Sequence, residues 1–281
     1  MLTELVNKKI LALHFSKSAE SYDKLAVLQR EIAYQLVDWA SSGKEFKAGR
    51  LAVLEIGCGT GFLTGFLSQR LKSKVFVAVD LARGMLNQAR IKLHESRAGV
   101  KLVQADGENL PLPPCSFDLV VSSTAFQWFN SFEKSIAGIH RLLRPGGRLI
   151  FATLGRGTFR ELKEAYRTAA GQMGIKLASA RYGLPFIGAL EVRDCLIQAG
   201  FKGAAVKQYR KFEFFPSSRD FLLSIKKRGA NNPDFRPMSL RVERDLLGKM
   251  ASFYDTRFKV DGHVYASYEV IFAKGEKPGG R

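Results

Sequence analysis

The 281-residue sequence offers little for metal, disulfide or membrane chemistry. Its three cysteines, Cys58, Cys115 and Cys195, are odd in number and lack Cys-x-x-Cys spacing, so neither a disulfide framework nor a zinc site is indicated. The four histidines, His14, His94, His140 and His263, lie far apart with no carboxylate motif nearby, and no metal is expected. No apolar run reaches bilayer-spanning length, and the opening MLTELVNKKILALHF lacks the sustained apolar stretch of a secretory signal. A cytoplasmic protein is therefore expected. Acids are scarce as well, 26 against 44 lysines and arginines, which leaves a formal charge of +18. That surplus implies attraction to something acidic or serves solubility, and composition alone leaves both open. It is spread along the chain with only short clusters such as Lys226-Lys227-Arg228, so a dedicated nucleic-acid arm is absent. Nor is there a recognisable binding module or a basic run interleaved with aromatics, and no nucleic-acid partner is expected.

What is present is an ordinary globular composition, 46% hydrophobic and 25% charged, long enough for one large α/β domain or a domain with an insertion. The stretch Leu51 to Gly61, LAVLEIGCGTG, organises the rest. Five of its first six residues are apolar, which suits a buried parallel strand, and Gly57-Cys58-Gly59-Thr60-Gly61 permits a tight turn before a helix from Phe62 to Leu71. Such a strand–turn–helix presents backbone N–H groups to a ligand. The spacing is Glu-x-Gly-x-Gly-x-Gly. The third glycine of a dinucleotide fingerprint would fall at Phe62, so a pyrophosphate is not indicated, whereas Glu55 ahead of the turn suits a cation. By itself the motif also fits a glycine turn after any α/β strand.

Further apolar runs predict strands at 75–79, ending in Asp80, at 100–105, ending in Asp106, at 117–122 and at 148–154. Glu55 to Asp80 is the span that a strand, turn and helix require. At the end of a second parallel strand, Asp80 can accept both hydroxyls of a ribose or simply cap the following helix. Acids at three consecutive strand ends lie where parallel sheets bind ligands. Upstream, helices are expected over 2–13 and 25–39, with the segment 14–23 between them free to fold over a cleft as a lid. Tyr22 suits either that lid or packing on the core. The helix 132–143 stops at Arg144-Pro145-Gly146-Gly147. Beyond it the spacing predicts helices over 157–173 and 191–200 and two strands near 204–215 and 258–273, separated by 217–254, too long for a hairpin loop and read as a helical cap.

The Glu55–Gly61 stretch resembles motif I of the class I S-adenosylmethionine (SAM) methyltransferases. That family's fold is an α/β Rossmann-like sandwich with a seven-stranded sheet of order 3-2-1-4-5-7-6, the last strand antiparallel and inserted. Four parts are expected: a helical lid (1–48), a SAM-binding core (49–216), a cap (217–256), and a final strand with tail (257–281). The resemblance implies a cofactor set of Glu55, Gly57, Cys58, Gly59, Asp80, Leu81, Asp106, Gly107 and Ser122, with Glu55 serving the methionine ammonium, Asp106 the adenine amino group, and Phe15 and Tyr22 closing over SAM. Phe15, Ala19, Tyr22, Asp23, Ala26 and Gln29, the Phe126-Gln127-Trp128 run, Thr153-Leu154-Gly155 with Gly157-Thr158 and Glu161-Leu162, and Leu223-Ser224-Ile225-Lys226 leading to Gly229-Ala230-Asn231 further resemble the malonyl-[acyl-carrier protein] O-methyltransferases of biotin synthesis. Where that family has a small or apolar pair after the lysine, this chain has Lys227-Arg228.

The resemblance implies methylation of the free carboxylate of a malonyl thioester, carried on acyl carrier protein or coenzyme A, by a monomer. A carboxylate is ionised at neutral pH, so no general base is needed. Tyr22, Phe126, Gln127 and Trp128 are expected to wall the substrate pocket, and Lys226, Lys227 and Arg228 to receive an acidic carrier. The alternatives are another small-molecule carboxylate or quinone methyltransferase on the same fold, and, from the charge alone, an RNA-binding or RNA-modifying protein.

Overall fold

The computed structural model describes residues 6–41, 51–95, 99–176, 184, 186–230 and 239–279. Five parallel strands form its spine: β1 (Leu51–Ile56), β2 (Ser73–Asp80), β3 (Val100–Gln104), β4 (Phe117–Ser123) and β5 (Leu143–Leu154). Two long strands complete it, β6 (Lys202–Phe215) and, after the two-residue β7 (Lys259–Val260), β8 (His263–Glu276). The order is β3-β2-β1-β4-β5-β8-β6, with β8 antiparallel to both neighbours and β7 paired to β8. Apart from that short extra strand, this is the order expected from the sequence.

Alternation along each strand divides the core into two layers. Val53, Ala78, Val121 and Ile150 face α2 (Val27–Ser41) and α3 (Phe62–Arg70). The same layer continues under α6 (Arg160–Gln172) and α9 (Leu240–Arg257). Leu54, Ile56, Val120 and Phe151 face the other way, onto α5 (Phe132–Leu142) and α7 (Ala189–Gln198). The middle strands are buried on both faces, which is why they read as near-continuous apolar runs.

Two segments depart from the expected outline. Residues 14–23 do not break the N-terminal helix: α1 runs uninterrupted from Lys8 to Leu25, capped by the Asn7 side chain on the Lys9 and Ile10 N–H groups. The stretch holds no Gly or Pro, and its serines turn inward, Ser18 and Ser21 donating to the carbonyls of Phe15 and Ser18. At the other site the helix stops as expected, but the strand starts earlier than 148: Arg144-Pro145-Gly146-Gly147 already belongs to β5, which follows α5 directly and is tied by Gly146 N–H to the Lys277 carbonyl.

The insertion between β6 and β8 carries α8 (Ser218–Lys227) and α9. α9 packs on α6, and the end of α8 fits against α1. There Gly229, at φ +70°, lies so close that a Cβ would come within 2.6 Å of Ser18 Oγ and 2.9 Å of the His14 carbonyl oxygen. Only glycine satisfies both that conformation and that approach.

Candidate functional site

A cavity opens at the carboxyl ends of β1, β2 and β3, walled by Gly57, Gly59, Asp80, Leu81, Asp106 and Gly107 among others. All three turn glycines are left-handed, with φ of +74°, +54° and +80° at Gly57, Gly59 and Gly61. Gly57 is further fixed by proximity, because a Cβ there would sit 2.3 Å from the Ala125 Cβ. Gly59 instead has open space beside it, so its bare backbone faces the cavity. Cys58 is turned away and buried, its Sγ near the Gly59 carbonyl, and burial pushes its thiol well up.

The acids fall into distinct settings. Asp80 both caps and lines: its Oδ2 accepts from Gly59 N–H and its Oδ1 from Ala82 N–H, each at 2.8 Å, while the carboxyl stays on the cavity wall. Burial raises its pKa against the opposing pull of these donors. Glu55 lies behind the turn rather than on the wall, 1% exposed and beside Thr64, and its Oε2 has no hydrogen-bond partner among the described residues. Burial pushes its carboxyl up to about 8. Asp106 lines the far end, with Oδ1 accepting from Glu108 N–H and lying 3.5 Å from Lys8 Nζ. Glu108 accepts from Asn130 N–H, Ser131 N–H and, at 2.5 Å, Lys8 Nζ; together these outweigh burial and hold it below the usual carboxylate range.

Helix α1 lies across this cavity. Lys8, Leu11, Ala12, Phe15 and Tyr22 follow helical spacing and face it. Polar ties fasten both ends. Asn130 exchanges two hydrogen bonds with the Val6 backbone, Ser16 Oγ accepts from Gly84 N–H, and Asp23 accepts from Thr60 Oγ1 and Lys92 Nζ. Phe15 stands edge-on to Tyr22 and Trp128, with centroids 6.3 and 5.5 Å apart. Burial pushes the Tyr22 hydroxyl up to about 12, so it stays protonated and able to donate. The clasp formed by Lys8, Glu108 and Asn130 joins residues far apart in the chain and was not foreseen from the sequence.

Of the residues expected to wall a substrate pocket, Tyr22 and Trp128 do line the cavity, whereas Phe126 and Gln127 do not. Phe126 is 2% exposed and packs on Phe129, Phe132 and Phe151. Gln127 is turned inward, its Nε2 donating to the Thr124 carbonyl at 2.5 Å and its Oε1 accepting from Thr153 Oγ1 at 3.3 Å. Ser122 too is spent within the sheet, donating to the Ile56 carbonyl at 2.8 Å. The strand's two-residue period puts its neighbour Ser123 on the cavity instead.

Arg228 also needs correcting: rather than sitting on the surface it is 4% exposed, paired with Glu213 and donating to the Tyr268 hydroxyl and Ser224 Oγ. Lys226 and Lys227 are exposed. The Thr153–Leu162 segment proves to be a clamp on β8. Thr158 and Glu161 are fully buried and bond the Glu269 and Ser267 backbone, and Gly157 N–H donates to Glu269 Oε2. Asn231 lies outside the described residues.

Comparison with known proteins agrees with this architecture. Residues 54–151 match the family described as "Methyltransferase domain". Among solved structures, the YcgJ protein of Bacillus subtilis superposes with a TM-score of 0.58 at 17% identity, covering 82% of this chain and 93% of that one. A Haemonchus contortus phosphoethanolamine N-methyltransferase 2, solved with S-adenosyl-L-methionine, does so at 0.50 and 21% identity, over 84% of this chain and 51% of that one. These likenesses establish the fold. Curated relatives reach further: malonyl-[acyl-carrier protein] O-methyltransferase of Acetivibrio thermocellus is 35% identical over 97% of this chain and 95% of its own length. That of Geobacter sulfurreducens is 32% identical over 97% and 100%. With the methyltransferase sheet order, the glycine turn and near-full-length identity in agreement, the chain belongs to the malonyl-[acyl-carrier protein] O-methyltransferase family.

Proposed function

We propose that this protein transfers the methyl group of SAM to the free carboxylate of a malonyl thioester, giving the methyl ester that the family resemblance places early in biotin synthesis. The observation that carries the reading is the cavity at the strand ends, with Gly57, Gly59 and Asp80 in its wall and α1 across it. The residues present suit the cofactor. The open space at Gly59 admits a ligand against bare backbone, and Asp80, already anchored by two N–H groups, has lone pairs left for ribose hydroxyls. Asp106 and Gly107 lie at the adenine end, and the buried Glu55 carboxyl favours a cation in front of the turn. When bound, SAM supplies an electrophilic methyl on a sulfonium.

The remaining work falls to the chain's own groups. No side chain has to remove a proton, because the acceptor carboxylate is ionised. Tyr22 and Trp128 exclude water and orient the acceptor, so proximity and a dry cavity supply the acceleration. α1 acts as the lid, and the end of α8, seated on α1 through Gly229, supports it. Lys226 and Lys227 remain the carrier-docking residues; Arg228 is not among them.

The test is methyl transfer from labelled SAM to malonyl-carrier protein, malonyl-CoA, free malonate and quinone acceptors. Ester formation on a malonyl thioester is expected. Transfer to a quinone or an unrelated acid with none to either malonyl thioester would refute the substrate.

A further inference from the structure

On the proposed reaction, the wall must grip an anionic acceptor. Yet among the described residues lining the cavity the only cation is Lys8, and its ammonium is committed to Glu108 and Asp106 at the opposite end. Apart from Lys8, the lining offers the carboxylate neutral donors. Two stand side by side where β4 ends. Ser123 lines the cavity, and its Oγ is buried without a hydrogen-bond partner among the described residues. A buried hydroxyl left unpaired costs free energy that an incoming acceptor would recover.

The next residue, Thr124, is held in a backbone conformation that β-branched residues avoid, with φ +55°. Strain of that kind persists only where neighbours impose it. Here they do. Thr124 N–H donates to the Ala152 carbonyl at 2.9 Å, its carbonyl accepts from Gln127 Nε2 at 2.5 Å, and Ala125 is pressed against the bare face of Gly57. Both backbone groups are thus engaged within the fold, and Thr124 lines the cavity beside Ser123.

We propose that the Ser123–Thr124 corner orients the acceptor: the two hydroxyls donate to the malonyl carboxylate, holding the oxygen that is not methylated, while Gln127 acts as a positioning residue that fixes the corner. This rests on the methyl-transfer reading above. Neutral donors suit the chemistry. A guanidinium would hold the same anion more tightly in the ground state, but it would compete with the sulfonium for the charge that must flow into the new O–C bond. The balance is simple: an O–CH3 bond forms as the S–CH3 bond breaks, and S-adenosylhomocysteine leaves.

The test compares wild type with S123A, T124V, T124S and Q127A. It uses calorimetry of S-adenosylhomocysteine, equilibrium binding of malonyl thioester to the S-adenosylhomocysteine complex, competition by acetyl thioester, and steady-state kinetics. A hydrogen bond to a charged group corresponds to a factor of about ten to a hundred, and S123A and T124V should each lose about that much in malonyl binding and kcat/KM. Affinity for S-adenosylhomocysteine and for the acetyl thioester, which has no free carboxylate, should stay within about twofold. T124S keeps the hydroxyl and should keep activity, whereas Q127A should lower kcat more than it raises KM. Undiminished malonyl binding in both S123A and T124V overturns the proposal, as does an equal loss for malonyl and acetyl thioesters. If wild type itself does not methylate malonyl thioesters, the functional reading and this proposal fall together.

Discussion

Replacing Asp80 separates a structural acid from a ligand-binding one. Its two oxygens already serve Gly59 and Ala82, each at 2.8 Å, so the residue has a full role in the empty protein. The raised pKa nevertheless shows that burial penalises the ionised carboxylate by more than those donors return. In D80N the amide oxygen keeps one of the two N–H donors while the Nδ2 cannot accept the other, and removal of a buried charge offsets part of that loss, so folding stability should fall by no more than about 2 kcal/mol. Ligand binding should behave differently. Two ribose hydroxyls donating to a carboxylate are worth about 2–4 kcal/mol, roughly a 30- to 800-fold loss of affinity for S-adenosylhomocysteine. Calorimetry of binding beside denaturant melts reads both quantities on the same preparation. A folded D80N that binds within twofold of wild type would refute the ribose role, and a variant that loses stability and affinity in proportion would reduce Asp80 to a cap.

Glu55, raised from 4.5 to about 8, gives the folded state a higher proton affinity than the unfolded one, so its contribution is complete below about pH 4.5 and is lost as pH rises towards 8. Wild type should lose on the order of 1 kcal/mol per pH unit through that window, and E55Q should flatten the dependence in urea melts; parallel curves would contradict the assignment. Because a cation in the cleft favours the ionised form, binding of SAM should release a proton near neutrality, detected by calorimetry in two buffers of different ionisation enthalpy; no release would remove Glu55 from the ammonium end. G57A meets both a left-handed backbone and a 2.3 Å clash with Ala125, so it should lose S-adenosylhomocysteine binding and lower Tm by clearly more than G59A, which has the same handedness but open space; equal shifts would show that crowding at Gly57 is relieved cheaply. Charge reversal at Lys226 and Lys227 should weaken turnover of malonyl-carrier without affecting a short malonyl thioester, as should raising salt until the Debye length falls from about 8 Å to about 3 Å; equal losses on both substrates would place these lysines in the fold or the pocket.

The sheet was legible because its parallel strands are short apolar runs, three of which end in an acid or a glycine turn at Gly57, Asp80 and Asp106, and local signals of that kind need no knowledge of partners. Gly57, Gly59, Asp80 and Asp106, expected at a ligand cleft from the same local signals, lie on the cavity wall. What sequence could not show depends on groups far apart in the chain. Arg228 follows two exposed lysines and looks like a solvated helix end, yet Glu213 and Tyr268, on two neighbouring strands, bury it. Lys8 meets Asp106 across 98 residues and Asn130 meets Val6 across 124. Gln127 was expected in the pocket wall with the rest of the Phe126–Trp128 run, but a short 3-10 turn over Phe126–Trp128 points successive side chains in different directions. The choice between Ser122 and Ser123 was open to strand periodicity: Ile56 and Ser122 sit on paired strands, and once Ser122 is spent on the Ile56 carbonyl its neighbour must face the other way.

Charge is layered in this molecule in a way that bears on the acceptor. The chain as a whole carries the +18 surplus, while the cavity wall holds Asp80 and Asp106, with Glu55 behind, and among the described residues its one lining cation, Lys8, is neutralised by Glu108 and Asp106. An anionic acceptor entering the empty cavity would meet carboxylates; once a cationic cofactor is seated, the same acceptor meets a positive sulfonium. The wall then needs to supply only direction. Neutral hydroxyls fixed by a strained corner give direction without adding a cation that would hold the carboxylate back. On the proposed reaction the basic exterior would act at longer range, raising the encounter rate with an acidic carrier. On the proposed reaction the two layers are opposite in sign because they would meet opposite charges at different stages: the surface would attract the carrier, and the interior the cofactor that makes the carrier's cargo welcome.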